Sequence, residues 1–303
     1  MDEQLVVKYI RTKKKVRKIV TYREHNDLRK YHEAVAKYLQ KNTFNSIFAK
    51  AYVPKSSIFS NAKAHMYNDI FIKMDIRDFF PNINHEYMAK SLYHEINKIA
   101  QISNKECHDI VRKCSIGEKG LPLGLVSSPG LANLYLKEFD GLFYGQLKKM
   151  CLKNVIYTRY ADDLVVSFKY CDDYEKYAEK IVAQAEHLLQ RFCLKLNMEK
   201  LQIVNLKKSN HVRITGVSIT RNSQNYRHIS VGKKLKNEIF WKAIELYDNP
   251  EGHNMIEREQ LKGLFSFVLS IEKRGVEESF SEGMINLLKI RGFNSLKELI
   301  NTL

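Results

Sequence analysis

Proline is scarce, with five in 303 residues, and no Gly/Ser tract, low-complexity run or internal repeat interrupts the chain. That argues against modules strung on Pro- or Gly-rich linkers, and the length suits one or two packed units. Cysteine is equally sparse: Cys107, Cys114, Cys151, Cys171 and Cys193. The count is odd and no two are separated by two residues. A disulfide framework or a cysteine-based zinc site is therefore excluded, and a reducing cytoplasm is the expected compartment. No apolar run reaches the ~20 residues that span a bilayer. The first residues, MDEQLVVKYIRTKKK, place their basic cluster after the apolar stretch, the reverse of a secretory signal. Acidic residues are outnumbered, 34 against 50 Lys plus Arg, for a net charge of +16. Such a surplus favours a polyanionic partner, nucleic acid above all. A hydrophobic content of 44% belongs to a folded chain rather than a disordered one.

The pattern along the chain predicts mixed structure. Residues 11–18, RTKKKVRK, lead into Ile19, Val20 and Tyr22 as a basic strand or hairpin, with a helix to follow over about 26–41. In 70–76, IFIKMDI, alternation places Ile70, Ile72, Met74 and Ile76 on one face and Phe71, Lys73 and Asp75 on the other. A helix is expected after Asn84, with Met88, Leu92, Ile96 and Ile99 as its apolar stripe. The turn-rich stretch GLPLGLVSSP at 120–129 precedes a further helix. Residues 155–168, VIYTRYADDLVVSF, read as a hairpin with Asp162 and Asp163 at its tip, and an amphipathic helix follows with Tyr174, Tyr177, Ile181, Leu188 and Phe192 inward. Short strands are expected at 202–206 and 212–219, then a basic helical tail from about 230. Strands and helices without a regular βαβ repeat indicate an α+β fold, an antiparallel sheet backed by helices.

Two adjacent carboxylates at a hairpin tip between apolar runs repel each other, and a divalent cation relieves that repulsion. Asp75, ending a strand upstream, would complete a set of hard oxygen ligands suited to magnesium.

The residues around these carboxylates carry a resemblance. Tyr160-Ala161-Asp162-Asp163 resembles the Tyr-x-Asp-Asp motif of reverse transcriptases, and Asp75-Ile76-Arg77-Asp78-Phe79-Phe80-Pro81 resembles their first palm motif. Leu121-Pro122-Leu123-Gly124, with Ser127-Ser128-Pro129 and Leu131-Ala132-Asn133, is similar to the template–nucleotide motif. Leu196-Asn197 with Lys200 is similar to the next palm motif. The four occur in the family's order over roughly residues 10–220, an agreement that chance rarely produces. Asn61-Ala62-Lys63-Ala64-His65 matches the Asn-Ala-x-x-His signature of bacterial retron reverse transcriptases, and Ile214-Thr215-Gly216 is similar to their Val-Thr-Gly signature. Two positions depart from the family pattern. Leu123 replaces the usual glutamine, removing a side-chain amide near the incoming nucleotide, and no proline follows Ile19-Val20.

The resemblance implies a right-hand polymerase with fingers, an antiparallel-sheet palm and a small helical thumb, divided as a core over 1–228 and a duplex-binding region over 229–303. It implies RNA-directed DNA synthesis with two magnesium ions on Asp75, Asp162 and Asp163, and Lys200 as proton donor to the leaving pyrophosphate. Arg17, with Lys15 and Lys18 behind it, would neutralise the deoxynucleoside triphosphate, alongside Asp78 and Tyr160. Phe80 would exclude a ribose 2′-hydroxyl, and Gly124 would let backbone approach the base pair. Asn61 and His65, and in the tail Lys233, Lys234 and Lys236 with Tyr226 and Trp241, would contact RNA, with a structural role as the other reading of His65. The implied partners are a cognate structured noncoding RNA, its DNA product and an effector protein, with no membrane. A defence reverse transcriptase without retron RNA, and a nucleic-acid scaffold that does not polymerise, are the competing readings.

Overall fold

The computed structural model describes residues 4–11, 16–24, 26–222, 224–252, 254–272 and 276–303. Lys15 lies outside them. The chain packs as two compact units, Met1–Lys208 and Ser209–Leu303.

The first unit opens with strands β1 (Leu5–Arg11) and β2 (Val16–Tyr22), then α1 (Asp27–Asn42), α2 (Ile58–Ala64), β3 (Ile70–Asp75), α3 (Phe79–Asn82), α4 (His85–Ile96), α5 (Asn104–Lys113), α6 (Ser128–Tyr135) and α7 (Lys137–Lys149). The hairpin of β4 (Ile156–Tyr160) and β5 (Asp163–Phe168), then α8 (Tyr174–Arg191) and β6 (Gln202–Asn205), complete it. Strands β1 and β2 form their own antiparallel ribbon, while the main sheet runs β4-β5-β3-β6, antiparallel throughout. One face of that sheet, including Ile70, Ile72, Met74, Ile76, Leu164, Val166 and Phe168, enters a single core with apolar residues of the helices. Phe71 and Val165 on the opposite face are buried too, so both faces are covered and the strands read as nearly continuous apolar runs.

Local chemistry sets the boundaries. The Asn84 side chain accepts a hydrogen bond from the Tyr87 amide and starts α4 where expected. The helix stops at Ile96 because the Asn97 side chain bonds the carbonyls of Tyr93 and Ile102 and the amide of Ile102. Ile99, expected on the helix stripe, consequently lies outside α4 and is exposed. In α8, Tyr174, Ile181 and Leu188 are buried as the pattern predicts, joined by Ala178, Val182, Ala185 and Leu189.

The second unit holds a three-stranded antiparallel sheet, β7 (His211–Ile214), β8 (Val217–Arg221) and β9 (Arg227–Ser230), followed by α9 (Lys233–Asp248), α10 (Met255–Ile271), α11 (Glu282–Ile290) and α12 (Leu296–Thr302). The single strand expected over 212–219 is thus two strands. Thr215 and Gly216 both take positive φ, 44° and 93°, and fold the segment back as a two-residue hairpin loop. The compact units part at Lys208, ahead of the 228/229 position expected for the edge of the polymerase core; the β7–β9 sheet belongs to the C-terminal unit.

Candidate active site

The main sheet brings the carboxylates together through register. Asp75 ends β3 and Asp163 begins β5, and the two are directly paired; Tyr160 pairs with Asp163 across the β4–β5 hairpin. The loop between Tyr160 and Asp163 is Ala161-Asp162, with Ala161 in the left-handed region at φ 57°, as tight two-residue hairpins require. The Asp162 carbonyl accepts from the Ile76 amide at 3.0 Å, tying the tip to the chain beyond β3. On the other side of Asp75, the Asn197 amide donates to the Asp75 carbonyl at 2.7 Å, and a short 3₁₀ turn, Met198–Lys200, carries Lys200 back so that Nζ meets Asp75 Oδ1 at 2.6 Å.

Electrostatics follow from this crowding. Burial, then the charges of Asp162 and Asp75, push the Asp163 carboxyl up to about 6. Burial and Asp75 also raise Asp162, against the opposing pull of Lys200 and Arg17. Burial works against the Lys200 ammonium, but the Asp75 hydrogen bond and the three aspartates prevail and hold it above the ordinary lysine value. Among the described residues no three His, Cys, Asp or Glu side chains stand as a ready-made metal-ligand group. Asp75 faces an ammonium instead. The donor set still suits a hard divalent cation: three carboxylates at one sheet end, two of them with pKa raised by burial and by their acidic neighbours, a shift that a cation would reverse.

Other expected site residues fall into place unequally. Arg17 is exposed on β2, and its charge reaches Asp162. Asp78 is exposed with φ 45° and makes no side-chain cap to α3. Phe80 is 7% exposed, edge-on to Phe79, and packs in the core. Gly124 has φ +107°, and a Cβ there would lie 2.3 Å from the Val20 carbonyl oxygen. The close approach that this glycine permits is to strand β2, which also donates from Val20 to the Leu123 carbonyl at 2.7 Å.

The RNA contacts expected of Asn61, His65 and Lys236 are corrected by burial. Asn61 and His65 have no exposed surface. The His65 ring nitrogens lie 2.7 Å from the Thr158 hydroxyl on β4 and 2.7 Å from the Ser167 hydroxyl on β5. This histidine joins the two strands of the β4–β5 hairpin, and burial lowers its pKa to about 3, so it stays neutral. Lys236 is 5% exposed and pairs with Glu272 at 2.7 Å, whose other oxygen accepts from the Ser230 hydroxyl and the Val231 amide. Lys233 and Lys234 are exposed. Lys236→Ala is expected to cost about 3–5 kcal/mol by stranding a buried carboxylate, read as a lower urea midpoint. Weaker RNA binding with an unchanged midpoint would return Lys236 to the surface role.

Sequence reasoning missed Tyr52. The segment around Ala49 bridges Arg159 on the outer edge of β4 in parallel, and Tyr52 follows three residues on, near enough to Asp162 for that charge to act on its hydroxyl. Tyr52 is 55% exposed with φ 57°, and burial followed by the charges of Asp162 and Tyr160 raises its hydroxyl pKa. Nothing local distinguishes it; only the long-range bridge brings it here.

The sequence model of the family described as "Reverse transcriptase (RNA-dependent DNA polymerase)" matches residues 12–219. The chain belongs to the reverse transcriptase family. This reverse transcriptase is 26% identical over 264 residues to the retron Ec83 reverse transcriptase of Escherichia coli, covering 84% of this chain and 80% of that one. It is 29% identical over 227 residues to the E. coli retron Ec73 reverse transcriptase, covering 69% and 68%. Among solved structures it resembles telomerase from Candida albicans in complex with a TWJ fragment of telomeric RNA, with TM-score 0.53, 13% identity, 97% of this chain covered and 61% of that one. The telomerase likeness shows the fold: the right-hand polymerase arrangement with an antiparallel palm. The reverse transcriptase is an RNA-directed DNA polymerase of bacterial retron type.

Proposed function

We propose that the reverse transcriptase copies part of a cognate structured noncoding RNA into DNA by two-metal nucleotidyl transfer. It starts from a 2′-hydroxyl of that RNA, leaves a branched RNA–DNA hybrid and serves antiphage defence with an effector protein in the cytoplasm. The observation that carries this reading is the pairing of Asp75 with Asp163 at the sheet end, with Asp162 in the adjoining loop and Lys200 on Asp75. Asp75, Asp162 and Asp163 would hold the magnesium ions. When bound, magnesium supplies charge neutralisation at the attacking and leaving oxygens of an in-line displacement. Lys200, half exposed and held protonated by its acidic neighbours, is the proton donor to pyrophosphate. Arg17 offers a planar fork of donors to the triphosphate, with Asp78 and Tyr160 flanking the same substrate. Phe80, five residues after Asp75 and mostly buried against Phe79, would exclude a ribose 2′-hydroxyl and favour deoxynucleotides. The exposed Lys233 and Lys234, with Tyr226 and Trp241, provide phosphate contacts and stacking surfaces for RNA, which supports a thumb function for the C-terminal region.

Sequencing the nucleic acid that copurifies with the enzyme tests the proposal. The expected result is one RNA species joined to DNA through an internal branch that a debranching nuclease removes. DNA with no attached RNA, or DNA joined to protein, favours a defence reverse transcriptase without retron RNA and overturns this reading.

A further inference from the structure

Beneath the catalytic hairpin lies a charged pair that the chemistry above does not use. Arg159, on β4 one residue before Tyr160, and Asp140, on α7, are both wholly buried. The guanidinium has five N–H groups, and each has an acceptor. Nε donates to Asp140, at 2.9 Å to Oδ1 and 3.1 Å to Oδ2, and Nη2 donates to Asp140 Oδ2 at 2.8 Å. Nη2 also donates to the Asn133 carbonyl at 3.3 Å. Nη1 donates to Asn133 Oδ1 at 3.1 Å and to the Ala161 carbonyl at 3.5 Å. The Tyr157 hydroxyl completes the set by donating to Asp140 Oδ1 at 2.7 Å.

A buried ion pair is a poor device for stability alone, because desolvation offsets most of its Coulomb attraction and an apolar pair of equal volume often does as well. What an apolar pair cannot do is hold several separate elements at fixed directions. Arg159 reaches three: α7 through Asp140, α6 through Asn133, and the catalytic loop through the carbonyl of Ala161, whose left-handed φ sets where Asp162 and Asp163 project. Asn133 extends the link, donating to the Ala51 carbonyl at 2.8 Å, next to Tyr52. The Arg159 backbone grips the same edge segment, donating to Phe48 and accepting from Lys50.

We propose that Arg159, oriented by Asp140, is a positioning residue for polymerisation: its guanidinium fixes the Ala161 loop, and hence the two hairpin carboxylates, relative to α6 and the edge segment that ends at Tyr52. The proposal rests on Asp162 and Asp163 being the reacting site's carboxylates. Lysine keeps the charge and can still meet Asp140, but its three donors on one nitrogen cannot span Asp140, Asn133 and Ala161 together. The fork, not the charge, is what the loop needs.

The test is steady-state primer extension on an RNA template by wild type, Arg159→Lys, the apolar double variant Asp140→Leu/Arg159→Met, and Asp162→Asn/Asp163→Asn as a control, each also followed by thermal melting. Arg159→Lys is expected to melt close to wild type yet lose roughly 10- to 100-fold in kcat, as a displacement of about 1 Å at reacting groups does, with nucleotide KM changed less than kcat. The magnesium concentration for half-maximal rate should rise with it. Should Arg159→Lys fail to fold, the apolar double variant, which leaves no buried charge behind, carries the same expectation. A folded variant of either kind with wild-type kcat and magnesium dependence overturns the proposal. Equal extension by wild type and the Asp162→Asn/Asp163→Asn control would instead overturn the underlying assignment of the carboxylates.

Discussion

Asp162→Asn/Asp163→Asn is expected to abolish primer extension, by about three orders of magnitude or more, while making the metal-free protein harder to unfold at neutral pH. Both effects have one cause. The Asp163 carboxyl titrates at about 6 in the folded protein against 3.8 for an ordinary aspartate, chiefly because of burial and secondly because Asp162 and Asp75 repel its charge; Asp162 is displaced in the same direction. Between those two pH values the native state binds more protons than the unfolded state, so stability falls as pH rises through the window and the penalty is fully present above it. Asparagine cannot ionise and removes the penalty. In EDTA the double variant should therefore melt higher than wild type at about pH 7.5, and the gap should close as pH falls below about 4. Adding magnesium should raise the wild-type melting temperature and leave the variant unmoved, since only the carboxylates bind the cation in preference to the unfolded chain. A wild type that melts as high as the variant at pH 7.5 in EDTA would show that the three carboxylates do not strain one another.

That strain also explains how much of this site was legible beforehand. The alternation in IFIKMD and the apolar flanks of Ala161-Asp162-Asp163 are local signals, and β3, β4 and β5 formed where they pointed. A carboxylate at a strand end is conspicuous because local propensity and burial both disfavour it. What stayed hidden depends on partners far away in sequence. His65 could be read either as structural or as an RNA contact until β4 and β5 supplied Thr158 and Ser167 to its two nitrogens. Lys236 sat in a run of lysines that reads as one solvated face; helical geometry turns it inward, opposite Lys234, to Glu272 on a segment beyond α10. The strand expected over 212–219 failed for a different reason. Thr215 is β-branched and normally avoids positive φ, so the pattern favoured an unbroken strand, and only the following glycine hinted at the turn. Arg159 gave no sign at all. An arginine between Thr and Tyr in a strand is unremarkable until Asp140 and Asn133 are brought beneath it by α7 and α6.

Gly124→Ala is expected to damage stability and nucleotide binding together. Two penalties coincide at this position. The backbone takes φ +107°, which an L side chain rarely adopts, and the added Cβ would sit 2.3 Å from the Val20 carbonyl oxygen and 2.8 Å from the Ile19 side chain. The nearest obstacle is backbone rather than a movable side-chain tip, so β2 has to shift away. That breaks the Val20-to-Leu123 hydrogen bond and loosens the small apolar cluster of Leu5, Val20 and Leu125 that seats the β1–β2 ribbon. A cost of about 2–4 kcal/mol follows from strain and overpacking together. The ribbon carries Arg17, whose charge is felt at Asp162, so displacing β2 withdraws the cation proposed to meet the triphosphate. Nucleotide KM should rise by roughly tenfold, about 1.4 kcal/mol, with a smaller change in the rate at saturating nucleotide, whereas loss of a carboxylate suppresses the rate at every nucleotide concentration. Steady-state extension over a nucleotide series, paired with urea denaturation, separates the two. A Gly124→Ala enzyme of unchanged stability and KM would mean that the ribbon yields without cost, and that Gly124 is kept for contact with the base pair instead.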